Sequence, residues 1–263
     1  MNDAGILFSF TGGVARITLN RPQRLNSLSD GMHEEIAAAI AGVEHDPALR
    51  VLVFSGSGRA FCAGQDQTDR TPPADGSRRD LGLSLERYYK PLVLKLRALP
   101  VPVVCALNGV AAGVGSTLAL ACDIVIASKS AYFLQGFTKL GLMPDAGATQ
   151  FLPQLVGTAR AIGLSMLNHK LSAEQAAAWG LIWRCVEDEE FQAEAELLIA
   201  QLAGSATKAL GLTKLAIYAA ADNSLAQQLE LELQSQRALG YSDDYQEGAA
   251  AFREKRAPLF RGS

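Results

Sequence analysis

Two features near the middle of the chain could together perform chemistry on an anionic intermediate. Gly113 and Gly115 lie in a turn between an apolar, strand-like run (Val101–Leu107) and a helix-like run of small residues (Ser116–Ala121). Such a turn lets backbone N–H groups point at a ligand from the start of a helix, where the dipole favours negative charge. Asp145 follows in an apolar, glycine-rich segment. N–H donors together with a single acid indicate an active site.

Two backbone N–H groups are candidate donors, because both follow small residues that permit a tight turn. Gln65 follows an Ala-Gly pair, and Val114 follows a glycine. Each turn alone is also explained by a bend that merely needs glycine. Asp145 is likewise explained as the N-cap of a helix in the Ala-Gly-Ala-Thr-Gln segment that follows it. Spacing alone leaves these alternatives open.

The sequence lacks the patterns of several other common sites. The Gly-x-Gly pairs at 56–58 and 113–115 lack the third glycine of the dinucleotide fingerprint, and no phosphate-binding lysine follows a glycine run. The histidines at positions 33 and 45 fall on or beside a predicted surface helix, and the one at 169 falls in a polar turn. We therefore expect neither a metal site nor a serine–histidine–aspartate triad.

Composition narrows the class of protein. The 263 residues carry a net charge of −3, with 49% apolar and 19% charged residues, which is ordinary for a globular protein. The acidic balance argues against nucleic-acid binding through a basic field. Neither a signal-peptide pattern nor an apolar run of about 18 residues is present, so we expect no membrane partner. Cys62, Cys105, Cys122 and Cys185 have no metal-type spacing, and we expect reduced thiols in a cytoplasmic protein.

Strand-type and helix-type runs alternate along most of the chain, and the last part is helical. This order is typical of an α/β core followed by helices, and we place the core at 1–200 and the helical region at 201–263. The sequence predicts N-caps at Ser29 or Asp30 and at Ser172, a kink or break at Pro91, and a mobile loop over Thr68–Asp80. Predicted strands include Ile6–Phe10, Val14–Leu19, Val51–Ser55, Val101–Leu107 and Leu181–Val186, and predicted helices cover about 30–45, 84–99, 158–167 and 173–179.

Five segments stand in a characteristic order and spacing that extend over nearly the whole chain: Asn20–Asn26, Ala60–Asp66, Asn108–Gly115, Cys122–Asp123 and Leu140–Gly147. Together they resemble the enoyl-CoA hydratase/isomerase (crotonase) family. The resemblance implies a crotonase-like spiral of ββα units, with a C-terminal helical region that assembles a homotrimer or a dimer of trimers. It also implies an acyl-CoA substrate and no separate cofactor, because coenzyme A is part of the substrate.

Members of this family hold the thioester oxygen with two backbone N–H groups, and the matching positions are Gln65 and Val114. An enolate that develops on a thioester needs such preorganised donors, each of which contributes about 3–4 kcal/mol. Family hydratases also place two glutamates at positions that match Thr117 and Phe137, and neither of these can abstract a proton. The acid stands instead at Asp145, as in the branch of the family that isomerises its substrates.

Asp145 is therefore the candidate base, and burial among apolar side chains should raise its pKa toward neutral pH. Phe133, Phe137 and Phe151 could line an apolar pocket for a ring. Core packing explains Phe133 and Phe151 equally well, whereas Phe137 replaces a catalytic position. Four further segments are informative: Phe61–Asp66, Asp80–Arg87, Lys139–Asp145 and Leu171–Gly180. They resemble family members that isomerise ring-epoxidised phenylacetyl-CoA during phenylacetate breakdown.

The resemblance also indicates residues that bind the substrate. Arg24 matches a position close to the nucleotide of coenzyme A. Phe252 and Lys255 match positions that reach coenzyme A from a neighbouring subunit, although a solvated amphipathic helix explains them equally well. Ala63 and Asp66, which flank the first N–H donor in the chain, are further candidates.

Two rival functions stay open. A dehalogenase of the same family attacks an aromatic ring with an aspartate at this position and uses a histidine from the helix after the polar loop. That helix offers Tyr88 and Tyr89 and no histidine. A non-catalytic protein that binds CoA esters would tolerate Thr117 and Phe137, but it has no need of a costly acid in an apolar setting.

Overall fold

The computed structural model describes residues 4–70 and 77–263 of the chain. The central part of the predicted polar loop, residues 71–76, lies outside the described residues. In chain order the strands are β1 (Ile6–Thr11), β2 (Val14–Leu19), β3 (Val51–Gly56), β4 (Ala60–Cys62), β5 (Val103–Leu107), β6 (Val110–Ala112), β7 (Ile124–Ser128), β8 (Tyr132–Leu134), β9 (Leu171–Ser172) and β10 (Arg184–Val186).

Within these ranges the strands form two sheets. The six-stranded sheet has the order β1-β2-β3-β5-β7-β10, and the four-stranded sheet has the order β4-β6-β8-β9. Neighbouring strands are parallel except for β1 with β2 and β8 with β9. Each of β3, β5 and β7 is followed by a short strand of the four-stranded sheet, and helical structure comes next in the chain. This confirms the predicted α/β class and its ββα repeat.

Helices follow the strands and extend to the C-terminal region. The long helix after the polar loop contains a π-helical segment, Leu85–Tyr89, and short 3-10 turns occur at Pro22–Arg24, Gln67–Arg70 and Phe137–Leu140. The α-helices are α1 (Asp30–Ala41), α2 (Gly82–Ser84), α3 (Lys90–Ala98), α4 (Val114–Ala121), α5 (Ala148–Val156), α6 (Thr158–Leu167), α7 (Ala173–Ala178), α8 (Phe191–Ala203), α9 (Thr207–Ala219), α10 (Leu225–Gly240) and α11 (Asp243–Glu254).

The six-stranded sheet is covered on both faces, which explains the unbroken apolar run of β3. Leu52 and Phe54 belong to the main core cluster. Val51 and Val53 point to the other face and pack in a cluster with Ile199 of α8. Successive side chains of a strand point to opposite faces, so a strand buried on both faces needs apolar residues at every position.

The sequence-predicted ends of two helices are confirmed. The Ser29 side chain accepts a hydrogen bond from Met32 N–H at the start of α1, and the Ser172 side chain accepts one from Gln175 N–H at the start of α7. Gly180 follows α7 with a φ of 77°, in the left-handed region that glycine enters without strain. Local capping chemistry therefore sets these boundaries.

Pro91 does not break its helix. It lacks an N–H, and its ring would clash with the carbonyl group four residues earlier in a regular α-helix. The backbone widens instead, and Lys90 N–H donates to the carbonyl oxygen of Leu85, five residues back. The π-helical segment therefore carries the chain past the proline, and α3 continues to Ala98.

The part of the chain after residue 190 is mostly helical, as predicted, and consists of α8 to α11. Lys214 of α9 attaches this region to the sheet, because it forms a buried ion pair with Asp123 at 2.9 Å. Tyr218 of the same helix donates to Asp123 at 2.6 Å. Over the described ranges, no helix is long and apolar enough to cross a lipid bilayer.

Candidate active site

Three candidate residues lie at one edge of the four-stranded sheet. β4, β6 and β8 are adjacent and parallel. The carboxyl ends of parallel strands meet at the same edge of a sheet. Gln65, Val114 and Phe137 each follow one of these strands within a few residues, so the topology brings them together.

The backbone of Gln65 is oriented by a β-bridge to Leu28. Leu28 N–H donates to Gly64 O at 2.8 Å, and Asp66 N–H donates to Leu28 O at 2.8 Å. These two bonds use the residues before and after Gln65, so its own N–H points away from Leu28. Among the described residues, none accepts a hydrogen bond from this N–H. It is therefore available to a ligand.

Val114 N–H is available for a different reason. Val114 is the first residue of α4, and the first N–H groups of a helix have no partner within it. Gly113 precedes it with a φ of 53° and is held on β8, because its N–H donates to Leu134 O at 2.9 Å. Ser116 and Thr117 turn their N–H groups back to the Gly113 carbonyl. Val114 N–H makes no hydrogen bond within the described part of the chain.

The two turns lie against each other. A Cβ atom on Gly64 would come within 3.1 Å of Ala112 O, and one on Gly113 would lie 4.0 Å from the Cα atom of Gly64. A Cβ atom on Gly115 would lie only 2.3 Å from Cys62 O. The glycines therefore allow β4 and the start of α4 to approach closely, and both N–H donors belong to this one contact.

The carboxyl group of Asp145 is partly buried and has a raised pKa. Its Oδ1 atom is buried and has no hydrogen-bond partner among the described residues. Burial raises its pKa to about 6, and the positive charge of Arg70 acts in the opposite direction. The alternative of an N-cap is wrong, because α5 has Gly147 as its N-cap and no side-chain cap. A partly buried carboxyl group with one oxygen free and a pKa of about 6 fits proton transfer.

Thr117 and Phe137 are two uncharged residues of the candidate site. Thr117 is fully buried, and its hydroxyl donates to the backbone carbonyl of Asp145 at 3.3 Å. It thus anchors the loop that carries the acid. Phe137 is 6% exposed, and its ring lies 4.0 Å from the position of a Cβ atom on Gly113. Phe133 and Phe151 are buried in the main core.

Three functional candidates escaped the sequence-based reasoning. Arg70 acts electrostatically on Asp145, and its Nε atom is buried without a partner among the described residues. Tyr89 is buried and donates a hydrogen bond to Oε1 of Gln65. The prediction that His33 lies on a surface helix face is wrong, because it is 3% exposed and its ring packs edge-on against Tyr89. The sequence feature that could have pointed to Tyr89 was the pair of adjacent tyrosines close to Pro91.

The predicted substrate-binding residues lie in three places. Ala63 and Asp66 flank the Gly64–Gln65 turn, where Asp66 forms an ion pair with Arg21 at 2.7 Å and accepts from the Thr68 hydroxyl. Arg24 is exposed at the end of a 3-10 turn. At the end of α11, Phe252 is 86% exposed and Lys255 is also exposed. Their roles in binding coenzyme A stay predictions.

Sequence and structure comparisons with known proteins agree with this arrangement. The sequence model of the family described as Enoyl-CoA hydratase/isomerase matches residues 9–263. The chain is 52% identical over 257 residues to the 1,2-epoxyphenylacetyl-CoA isomerase of Escherichia coli, with 98% of each chain covered. It is 44% identical over 259 residues to a probable enoyl-CoA hydratase of Rhodobacter capsulatus, again with 98% of each covered. The crystal structure of an enoyl-CoA hydratase from Bacillus anthracis gives a TM-score of 0.92 at 32% identity and covers 99% of this chain and 100% of that chain.

Proposed function

The chain belongs to the enoyl-CoA hydratase/isomerase family, and we propose that it is an acyl-CoA isomerase that moves a proton through a thioester enolate. Gln65 N–H and Val114 N–H hold the thioester oxygen, and Asp145 transfers the proton. The reaction adds no water. One observation supports isomerisation above hydration: Asp145, whose buried Oδ1 atom has no partner among the described residues, is bonded through its backbone to Thr117. By the family resemblance, Thr117 and Phe137 match the positions of the two hydratase glutamates.

The proton transfer balances without any co-reactant. Asp145 takes a proton from the α-carbon of a 3-enoyl thioester, and the electron pair of that bond passes into the thioester carbonyl. The resulting dienolate carries its negative charge on the oxygen that accepts from the two N–H groups. Protonated Asp145 then returns the proton to the γ-carbon, and the double bond becomes conjugated with the thioester. A pKa of about 6 suits both steps, since the group must accept and release a proton near neutral pH.

We propose ring-epoxidised phenylacetyl-CoA, which rearranges to an oxepin-CoA, as the specific substrate. The relative from Escherichia coli is named for an epoxyphenylacetyl-CoA substrate, and the identity of 52% over almost the whole chain supports the same substrate here. This rearrangement breaks the C–C bond that the epoxide shares with the six-membered ring, which opens to the oxepin, while a proton leaves the α-carbon and returns to a ring carbon. Reactant and product are isomers, so the step needs no co-reactant. Phe137 offers an apolar surface beside the N–H donors. The protein would then act in phenylacetate catabolism.

Two other observations support proposals for the assembly and the cellular compartment of the protein. The four cysteines are free, and three of them are buried, which is usual for a protein of the reducing cytoplasm. α10 and α11 expose Leu225, Leu229 and Phe252 in the single chain, and apolar surface of this kind favours contact with another subunit. We therefore propose a cytoplasmic homotrimer or dimer of trimers in which Phe252 and Lys255 reach coenzyme A bound to a neighbouring subunit.

The decisive experiment compares the wild type with Asp145→Asn on a 3-enoyl-CoA and on ring-epoxidised phenylacetyl-CoA. Asparagine keeps the shape of the side chain but cannot take a proton. We expect conversion to fall by at least about a thousandfold, in the upper range for loss of a general base, while the dissociation constant for a saturated acyl-CoA changes little. Chromatography of the thioester products measures the rates, and calorimetry measures binding.

The same assay separates this proposal from its rivals. Hydration of a 2-enoyl-CoA at a rate equal to isomerisation would show a hydratase. A covalent ester on Asp145 after incubation with a halogenated aryl-CoA would show a dehalogenase. Binding of acyl-CoA without turnover of any thioester would show a binding protein, and full turnover by Asp145→Asn would remove the aspartate from the mechanism.

A further inference from the structure

Neighbouring residues occupy all but one of the polar groups of Gln65. Gln67 Nε2 donates to its carbonyl oxygen at 3.2 Å, and its own Nε2 donates to Asp66 O at 3.5 Å. Its Oε1 accepts a hydrogen bond from the hydroxyl of Tyr89. The backbone N–H alone lacks a partner within the described residues. The side chain is thus tied down while the N–H stays free.

Tyr89 is held rigidly enough to fix this side chain. It is 3% exposed, and the imidazole of His33 packs edge-on against its ring at a centroid distance of 4.4 Å. Burial lowers the pKa of His33 to about 4, so the imidazole is neutral at physiological pH and acts as an apolar support. Burial also raises the pKa of Tyr89, with a smaller contribution from the charge of Asp145. The phenol therefore remains a donor over the working pH range.

The π-helical segment allows Tyr88 and Tyr89 to face the same imidazole. Tyr88 stacks on His33 at a centroid distance of 5.1 Å and an interplanar angle of 10°. Its hydroxyl, however, bonds outward to Glu34 at 3.4 Å. The wide turn before Pro91 thus presents both rings to His33, but only the hydroxyl of Tyr89 reaches Gln65.

We propose that Tyr89 is a positioning residue of the oxyanion hole. Its hydrogen bond to the side-chain amide of Gln65 holds the Gln65 N–H in its productive direction. The inference rests on the proposed function, because it assigns Tyr89 a role in binding the thioester oxygen. Gly64, with a φ of 106°, gives the preceding peptide unit rotational freedom that side chains would not allow. The β-bridge to Leu28 holds the backbone on one side, and the Tyr89 bond holds the side chain on the other.

Tyr89→Phe removes this hydrogen bond and keeps the ring. We expect kcat for 3-enoyl-CoA to fall about tenfold or more while KM changes less than about twofold, because a misdirected donor weakens the transition state more than the ground state. A second readout is the infrared carbonyl stretch of butyryl-CoA, labelled with ¹³C at the thioester carbon and bound to the enzyme. Weaker polarisation by Gln65 N–H should move this band toward its frequency in solution.

Tyr88→Phe is the matched control. It removes a hydroxyl from the other ring that packs on His33, but that hydroxyl contacts the exposed Glu34 and not Gln65. We expect wild-type kcat and an unshifted carbonyl band. An equal loss of kcat in Tyr88→Phe and Tyr89→Phe would overturn the proposal, since it would reflect damage to the aromatic cluster.

Gln65→Met removes the side-chain oxygen that accepts the hydrogen bond from Tyr89, and it leaves the backbone N–H of residue 65 in place. If Tyr89 acts through this side chain, Tyr89→Phe, Gln65→Met and the double variant should lose similar amounts of kcat, whereas independent effects would multiply. Multiplying losses, or an unshifted band in both single variants, would overturn the proposal. Gln65→Met alone tests the bond if Tyr89→Phe does not fold. The infrared measurement needs no turnover, so it remains decisive even if the assignment of Asp145 as the base fails.

Discussion

The burial that raises the pKa of Asp145 also makes the folded protein less stable. The group ionises near pH 3.8 when the chain is unfolded and near pH 6 when it is folded. Between these values the folded state binds a proton that the unfolded state has released, so stability falls as pH rises. Above pH 6 the whole cost of burying the charge is present. Above pH 6, Asp145 is therefore expected to lower the free energy of unfolding.

Asp145→Asn should consequently stabilise the fold at pH 8 while it removes turnover. A pKa difference of about two units corresponds to about 2 kcal/mol after allowance for the partial exposure of the group. Urea unfolding at pH 8 and at pH 4 measures the effect, and the gain should shrink toward pH 4, where Asp145 is protonated in the folded state. A variant less stable than the wild type at pH 8 would show that the carboxylate has a favourable partner.

Arg70 is expected to shift the pH below which activity is lost. Turnover requires the ionised carboxylate, so kcat/KM should fall as pH decreases through about 6. Arg70 lowers the pKa of Asp145, and Arg70→Gln should therefore move this limit to higher pH. Arg87→Gln is the control, because Arg87 is exposed and pairs with Glu34 at 3.1 Å. A pH profile that Arg70→Gln leaves unchanged would show that its charge does not act on the base.

At the level of elements, the contact between β4 and α4 sets the separation of the two N–H donors. A Cβ atom at position 115 would lie 2.3 Å from Cys62 O, and backbone cannot yield as a flexible side chain does. Gly115→Ala should push α4 away from β4, lower kcat, and destabilise the fold by about 1–3 kcal/mol.

Gly163→Ala is the matched control for this prediction. Gly163 lies inside α6, and a Cβ atom there would meet no atom of the described residues within 4 Å. Alanine should stabilise that helix by up to about 1 kcal/mol with no change in kcat. Thermal unfolding and steady-state rates of both variants test the comparison. Wild-type rates in Gly115→Ala would mean that the donors tolerate a shift of α4.

Elements governed by local chemistry were predictable from the sequence. The strands predicted at Ile6–Phe10 and Val14–Leu19 correspond to β1 and β2, and Ser29 and Ser172 cap their helices as predicted. The strand predicted at 181–186 begins only at Arg184, because an apolar run does not reveal where pairing with a neighbour starts. The π-helical segment was also missed. Pro91 predicted an irregularity, but the sequence does not show that the backbone widens before it.

The part of the candidate site that lies just after strand ends could be predicted from the sequence. Gln65, Val114 and Asp145 were predicted from glycine turns, an apolar setting and the family resemblance, and their roles stay predictions. Arg70, Tyr89 and the Thr117 hydroxyl were not, because each acts through a contact between residues far apart in the chain. His33 was misplaced for the same reason, since periodicity along α1 cannot show which helix will cover it.

For the molecule as a whole, the exposed apolar stripe on α10 bears on assembly. Leu225, Leu229 and Leu233 recur every four residues and are 75%, 55% and 47% exposed in the single chain. Residues spaced by four lie on one face of a helix. Exposed apolar surface of this kind marks an interface with another chain. The stripe therefore gives the proposed trimer a physical basis.

Leu229→Glu should dissociate the assembly, because a carboxylate buried at an apolar interface costs several kcal/mol. Ala238→Glu is the control, since Ala238 is exposed on the opposite face of α10. Light scattering coupled to size-exclusion chromatography measures the mass of each variant. If Phe252 and Lys255 reach coenzyme A on a neighbouring subunit, the dissociated variant should also have a higher KM for acyl-CoA. Equal masses for both variants would place the interface elsewhere, whereas dissociation without a change in KM would show that each subunit binds coenzyme A alone.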